Sequence, residues 1–123
     1  MFDTHLTTHI KSNIQSCYPA ISTEEILVSI PKSQLFAAEV NRWSASGKKV
    51  LYTEVLSVSV DIFTNEKIDR HTLIQKFPIE DINIDGNQSS QKVIGCHFYD
   101  YIESSKLKQT RIILEYQHNI YGE

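Results

Sequence analysis

Lys48-Lys49-Val50-Leu51-Tyr52-Thr53-Glu54-Val55-Leu56-Ser57-Val58-Ser59-Val60-Asp61-Ile62-Phe63 is the stretch whose reading decides the fold. It is rich in β-branched and aromatic residues, holds neither Gly nor Pro, and alternates with period two, so it predicts one long strand inside an antiparallel sheet. One face would carry Val50, Tyr52, Leu56, Val58, Val60 and Ile62 against a core. The other would carry Leu51, Thr53, Val55, Ser57, Ser59, Asp61 and Phe63, mixed enough to meet solvent or a partner subunit.

Upstream, Phe2, Leu6, Ile10 and Ile14 recur every four residues, which predicts an amphipathic helix from Phe2 to Cys17 with Asp3 or Thr4 as cap. Tyr18-Pro19 ends it, because the residue before proline is pushed out of the helical region. Glu25 to Ile30 reads as a short strand closed by Pro31, and Ser22 with Glu25 fits a capping box that would place a helical turn before it. Ser33 to Ala45 fits two patterns equally. As a helix it sets Phe36, Val40 and Trp43 on one face with Gly47 past its end; as a strand it pairs with the long one through Ala45-Ser46-Gly47-Lys48.

Downstream, Thr64 or Asn65 can cap a short helix from Glu66 to Lys76, with Ile68, Leu73 and Phe77 on one side and Pro78 as its stop. Ile79 to Asp85 suggests a short acidic edge strand, and Asp85 to Gln91 a polar loop. Lys92 to Ile102 and Lys108 to His118 form a hairpin turned by Glu103-Ser104-Ser105-Lys106. On its last strand Ile112, Leu114 and Tyr116 share one face, and Arg111, Ile113, Glu115 and Gln117 the other. The expected architecture is a single α+β domain over residues 1–123: an antiparallel β-sheet with an N-terminal helix and a second short helix packed on one face.

Composition narrows the function classes. A chain of 123 residues with 41% hydrophobic and 22% charged side chains can build one core without metal or disulfide staples. Its net charge of −3 comes from 12 basic and 15 acidic residues with no basic cluster, which argues against a nucleic-acid partner. Met1-Phe2-Asp3-Thr4-His5 has no signal-peptide pattern, and no run of about 18 apolar residues offers a membrane span. The expectation is a soluble, non-secreted protein. Cys17 and Cys96 form no CxxC; two free thiols in a reducing compartment fit better than one disulfide between them.

Four constellations could carry chemistry. His5 and His9 have the i, i+4 spacing of a metal pair, but Leu-Thr-Thr lies between them and no third ligand stands at recognisable spacing. Asp81-Ile82-Asn83-Ile84-Asp85-Gly86 matches the first half of a calcium loop. Lys92 stands where the bidentate Glu belongs, so a strand ending in an Asp-Gly turn is the better reading. Cys96 and His97 are adjacent and would point to opposite faces of a strand, which forbids a direct thiolate–imidazolium pair. His97 would lie with Tyr99 and Tyr101, and Cys96 with Phe98 and Asp100. Asp61, Asp100 and Glu115 could meet across strands as paired carboxylates. With only four glycines and no nucleophile elbow or phosphate loop, neither catalytic residues nor a metal or cofactor site is assigned, and the expectation is a non-enzyme. The six tyrosines and Trp43 suit protein–protein contact, and would equally line sheet edges.

Gly95-Cys96-His97-Phe98-Tyr99-Asp100, a charged turn, and Arg111-Ile112-Ile113-Leu114-Glu115-Tyr116-Gln117 together resemble the closing segment of phage tail-terminator (tail-completion) proteins. The opening helix and the long strand before a second helix follow the same layout, although the second helix here is short and an extra acidic strand follows it. The resemblance implies a bacteriophage tail or neck component without catalysis, forming an oligomeric ring, with copies of itself and other virion proteins as partners and the virion, assembled in the host cytoplasm, as its location. Two other classes fit the same residues: a small α+β ligand-binding domain with a cystatin-like curved sheet, and an inhibitor or immunity-type partner protein.

Overall fold

The computed structural model describes residues 2–38, 43, 47–84, 86–100 and 108–122. Helix α1 (Phe2–Cys17) is followed by strands β1 (Ile26–Ser29), β2 (Gln34–Ala37) and β3 (Val50–Thr64). Helix α2 (Arg70–Gln75) then leads to β4 (Glu80–Ile84), β5 (Asn87–Asp100) and β6 (Lys108–Tyr121). The six strands make one antiparallel sheet in the order β1-β3-β6-β5-β4, with β2 also pairing along β3. This is the α+β architecture expected: a curled sheet with an N-terminal helix and a short second helix. Among the described residues, no helix is long and apolar enough to cross a membrane.

α1 spans the residues its four-residue periodicity marks out. Leu6, Ile10 and Ile14 are fully buried against Val58, Val60, Ile62, Ile112 and Leu114, the inward positions of β3 and β6. Burying each such side chain contributes roughly 1.5–3 kcal/mol, so this interface is the main source of stability. The Tyr18 backbone N–H still bonds Ile14 O at 3.0 Å before Pro19 breaks the helix. The Glu25 carboxylate accepts from Ser22 N at 2.9 Å and Ser22 Oγ at 3.1 Å, holding the single turn Thr23–Glu25 ahead of β1.

The uncertain segment resolves to strand over its described part: Gln34–Ala37 pairs with Tyr52–Val55, on the same side of β3 as β1. Pro31 explains why that side is filled by two short strands rather than one. Val40 and the turn Ala45–Ser46 lie outside the described residues, as does the turn Glu103–Lys106. An antiparallel bridge from Trp43 to Lys49 lies beyond β2.

Three sequence expectations need correction. The second helix starts at Arg70, not Glu66, because Thr64 is still inside β3 and Asp69 is the better cap. Its carboxylate accepts from both Thr72 N and Thr72 Oγ1 at 2.9 Å. Residues 87–91 are not a loop but the start of β5. Ile84, the last residue of β4, pairs with Asn87, the first of β5, and Gly86 just before Asn87 takes a positive φ of 78°. Finally, the core face predicted for β3 does not run its whole length. The register jumps between Val50↔Tyr121 and Tyr52↔Ile120, so Leu51 is an extra, bulged residue, and Tyr52 is half exposed while Val50 is buried. Gly122 sits at this bulge; a Cβ there would come within 2.9 Å of the Leu51 side chain.

A second jump, between Val93↔Leu114 and Gly95↔Ile113, makes Ile94 the extra residue of β5. It switches the inward positions from Gln91 and Val93 to Cys96 and keeps both halves of a 14-residue strand against the core.

Candidate interaction surfaces

The residues singled out for chemistry are dispersed. His5 is exposed on α1, whereas His9 Nε2 lies 3.4 Å from both Gln91 Oε1 and Asn13 Nδ2. No group of three or more metal-ligating side chains occurs among the described residues. Asp81 and Asn83 are extended in β4, paired with Ser90 and Gln88, so they do not curl around a cation; Asn83 Oδ1 instead accepts the Gly86 N–H at 3.0 Å.

Cys96 and His97 take opposite faces, as adjacent strand residues must. Cys96 packs on the core, and its backbone oxygen accepts from Arg70 Nη2 at 3.2 Å. Burial pushes its thiol pKa up, with the Arg70 charge opposing. The His97 ring lies 6.4 Å from the ring of Tyr99 on the outer face. Cys17 is also free; burial raises its thiol pKa, and its Sγ–H donates to Ile14 O at 3.2 Å.

Of the three carboxylates, Asp61 and Glu115 do not pair with one another. Buried Asp61 Oδ1 accepts from Gln109 Nε2 at 2.7 Å and Arg111 Nε at 2.8 Å. Glu115 Oε1 accepts from Gln117 Nε2 at 2.6 Å and sits 3.5 Å from Lys92 Nζ. Asp61 faces the Arg111 guanidinium and Glu115 the Lys92 ammonium. The Asp100 side chain lies outside the description.

Two surfaces among the described residues lie at the end of the sheet away from α2. The first is apolar. β3 has 15 residues and spans about 50 Å. α1 has 16 and spans about 24 Å, so it cannot cover the strand end to end. Beyond its reach Leu35, Phe36, Trp43, Leu51, Tyr52 and Tyr121 are 41–61% exposed. The register gathers them around one strand end but on both faces of the sheet. Leu35 (opposite Glu54) lies on the face of Tyr52 (opposite Ala37), Phe36 (opposite Thr53) lies on the other face, Val50 opposes Tyr121, and Trp43 bridges to Lys49. The sequence placed Tyr52 in the core; what it could not show was where the helix stops covering the strand.

The second surface is polar. Pairing between β5 and β6 ends at Ser90↔Gln117, although β5 begins at Asn87 and β6 runs on to Tyr121. Past that point β5 is held by β4 and β6 by β3. A groove of about 450 Å³ lies at the divergence, lined by Asp81, Gln88, Ser89, Ser90, Gln117, His118, Asn119 and Tyr121. His118 Nδ1 reaches across to within 2.8 Å of Gln88 O. The expected polar loop in 85–91 had hidden this feature.

Comparison with protein families, with curated proteins and with solved structures finds no match for this chain.

Proposed function

We propose that this chain is a non-enzymatic structural assembly protein, a bacteriophage tail or neck component of the tail-terminator kind, which forms an oligomeric ring. The supporting observation is the far half of the sheet. Leu35, Phe36, Trp43, Leu51, Tyr52 and Tyr121 stay 41–61% exposed where α1 and α2 do not reach. Exposed apolar and aromatic groups mark contact surfaces, and aromatic anchors carry most of the energy in such contacts; Leu27, Ile79, Ile94, Phe98 and Tyr99 are comparably exposed elsewhere on the chain. Lys48 and Lys49 border this surface, while the opposite edge strand β4 offers Glu80 and Asp81 beside Ile79, which is 85% exposed. A head-to-tail contact between unlike surfaces, repeated by rotation, closes a ring.

Native mass spectrometry of the full chain at micromolar concentration tests the proposal. The expected result is one closed multimer. A monomer at all concentrations, or a fixed one-to-one complex with a host protein, would overturn it.

A further inference from the structure

We infer that the groove between β5 and β6 binds a neutral polyhydroxylated ligand, a saccharide of one or two rings. Its lining selects the class. Gln88, Gln117 and Asn119 supply amides, Ser89 and Ser90 hydroxyls, Asp81 a carboxylate and His118 an imidazole, with neither Lys nor Arg among the described lining residues. The amides and hydroxyls outnumber the ionisable groups, and the described lining has no aliphatic patch for a lipid chain. Amides and a carboxylate, each able to bond adjacent hydroxyls, are matched to a sugar edge. Tyr121, 43% exposed, also lines the groove and supplies an aromatic ring of the kind that stacks on the C–H face of a pyranose.

The site is built before any ligand arrives. Asp81, Ser90 and Gln117 stand directly opposite one another across three strands, so their side chains share one face. Gln117 is held by its 2.6 Å bond to Glu115, which Lys92 in turn holds. Asn119 Oδ1 accepts from Thr53 Oγ1 at 3.2 Å. Fixed partners reduce the ordering cost that a ligand would otherwise meet. The volume of about 450 Å³ falls in the range of small-molecule sites.

A diverging pair of strands also invites an inserted peptide strand, but the geometry opposes one. Insertion needs two ladder spacings, about 9.5 Å, between β5 and β6. The His118 imidazole bonds Gln88 O at 2.8 Å across the divergence, and an inserted strand would have to displace it.

The inference uses side chains of a single chain; because Asp81 and Tyr121 also lie on the surfaces assigned to assembly, the Gln88 and Gln117 variants are the ones that separate a failure of this inference from a failure of the assembly proposal. It is tested by saturation-transfer NMR on the full chain with a panel of neutral mono- and disaccharides, an extended tetrapeptide and inorganic phosphate. The expected result is transfer to saccharide protons with affinity on the millimolar scale or tighter. Gln117→Ala and Tyr121→Ala should each weaken it about tenfold, with unchanged far-UV circular dichroism. Gln88→Ala, at an exposed side chain, gives the same readout should either variant misfold. No transfer to any saccharide, transfer insensitive to all three substitutions, or preferential binding of the tetrapeptide or phosphate would each overturn the inference.

Discussion

The two halves of the sheet are built from the same strands and have opposite fates. In the half beneath the helices, Leu56, Val58, Val60 and Ile62 meet Leu6, Ile10 and Ile14, and nothing large is left uncovered on that face of β3. In the far half, β3 and β6 continue for several residues past the helix and carry Tyr52 and Tyr121 into the open. Strand rise per residue is more than twice helix rise, so a 16-residue helix cannot match a 15-residue strand. The covered half is therefore where the fold is stabilised, and the uncovered half is the one that the assembly proposal assigns to contact between copies.

Substitutions should separate the halves sharply. The largest stability loss is expected for Leu114→Ala, whose side chain is fully buried against both helix and sheet: about 2–5 kcal/mol in urea unfolding, against about 0.5 kcal/mol or less for Leu35→Ser in the far half. Equal losses would mean the far half is part of the core after all.

Next comes Gln91, which is 0% exposed and links the halves at their boundary. Its Oε1 accepts from Tyr116 Oη at 3.1 Å, and its Nε2 donates to Pro78 O at 3.3 Å. Gln91→Leu strands the buried Tyr116 hydroxyl and should cost about 1–3 kcal/mol. Burial already raises the Tyr116 phenol pKa, so its hydroxyl remains a donor throughout the neutral range.

The smallest effect is electrostatic. Bonds from Thr72 hold the Asp69 carboxyl below its ordinary pKa, and bonds from Ser22 do the same for Glu25. Because the folded values are depressed, their stabilisation is complete above the unfolded carboxylate range, near pH 4, and fades as pH falls through the folded values. Asp69→Asn with Glu25→Gln should therefore flatten the acid side of the stability curve slightly, read from thermal melts between pH 6 and 2. Both groups are exposed, so the flattening should be minor.

How legible these regions were in the sequence follows the same division. α1 announced itself because Leu6, Ile10 and Ile14 have no competing pattern, and β3 because alternation over so many residues has no helical counterpart. The start of β5 was hidden because Gln88, Ser89, Ser90 and Gln91 look like a loop in composition. They belong to a strand because β4 pairs with it throughout and Gln91 finds partners inside the core. Asp69 was overlooked as a cap since Thr64 also has a capping side chain, and only the length of β3 decides between them. The bulges at Leu51 and Ile94 have no sequence mark at all; each is set by the facing strand. The candidate surfaces take in the start of β5 and the Leu51 bulge, whereas the Asp69 cap and the Ile94 bulge lie elsewhere in the fold.

On the assembly proposal, the uncovered half should be dispensable for folding and required for self-association. Sedimentation velocity of the Leu35→Asp/Tyr52→Asp chain beside the unaltered one, each paired with a urea melt, measures both properties at once. The account predicts that the unaltered chain sediments as a multimer and the double variant as a folded monomer with nearly the same urea midpoint. A double variant that still sediments as the same multimer, or an unaltered chain that is already monomeric, would contradict it.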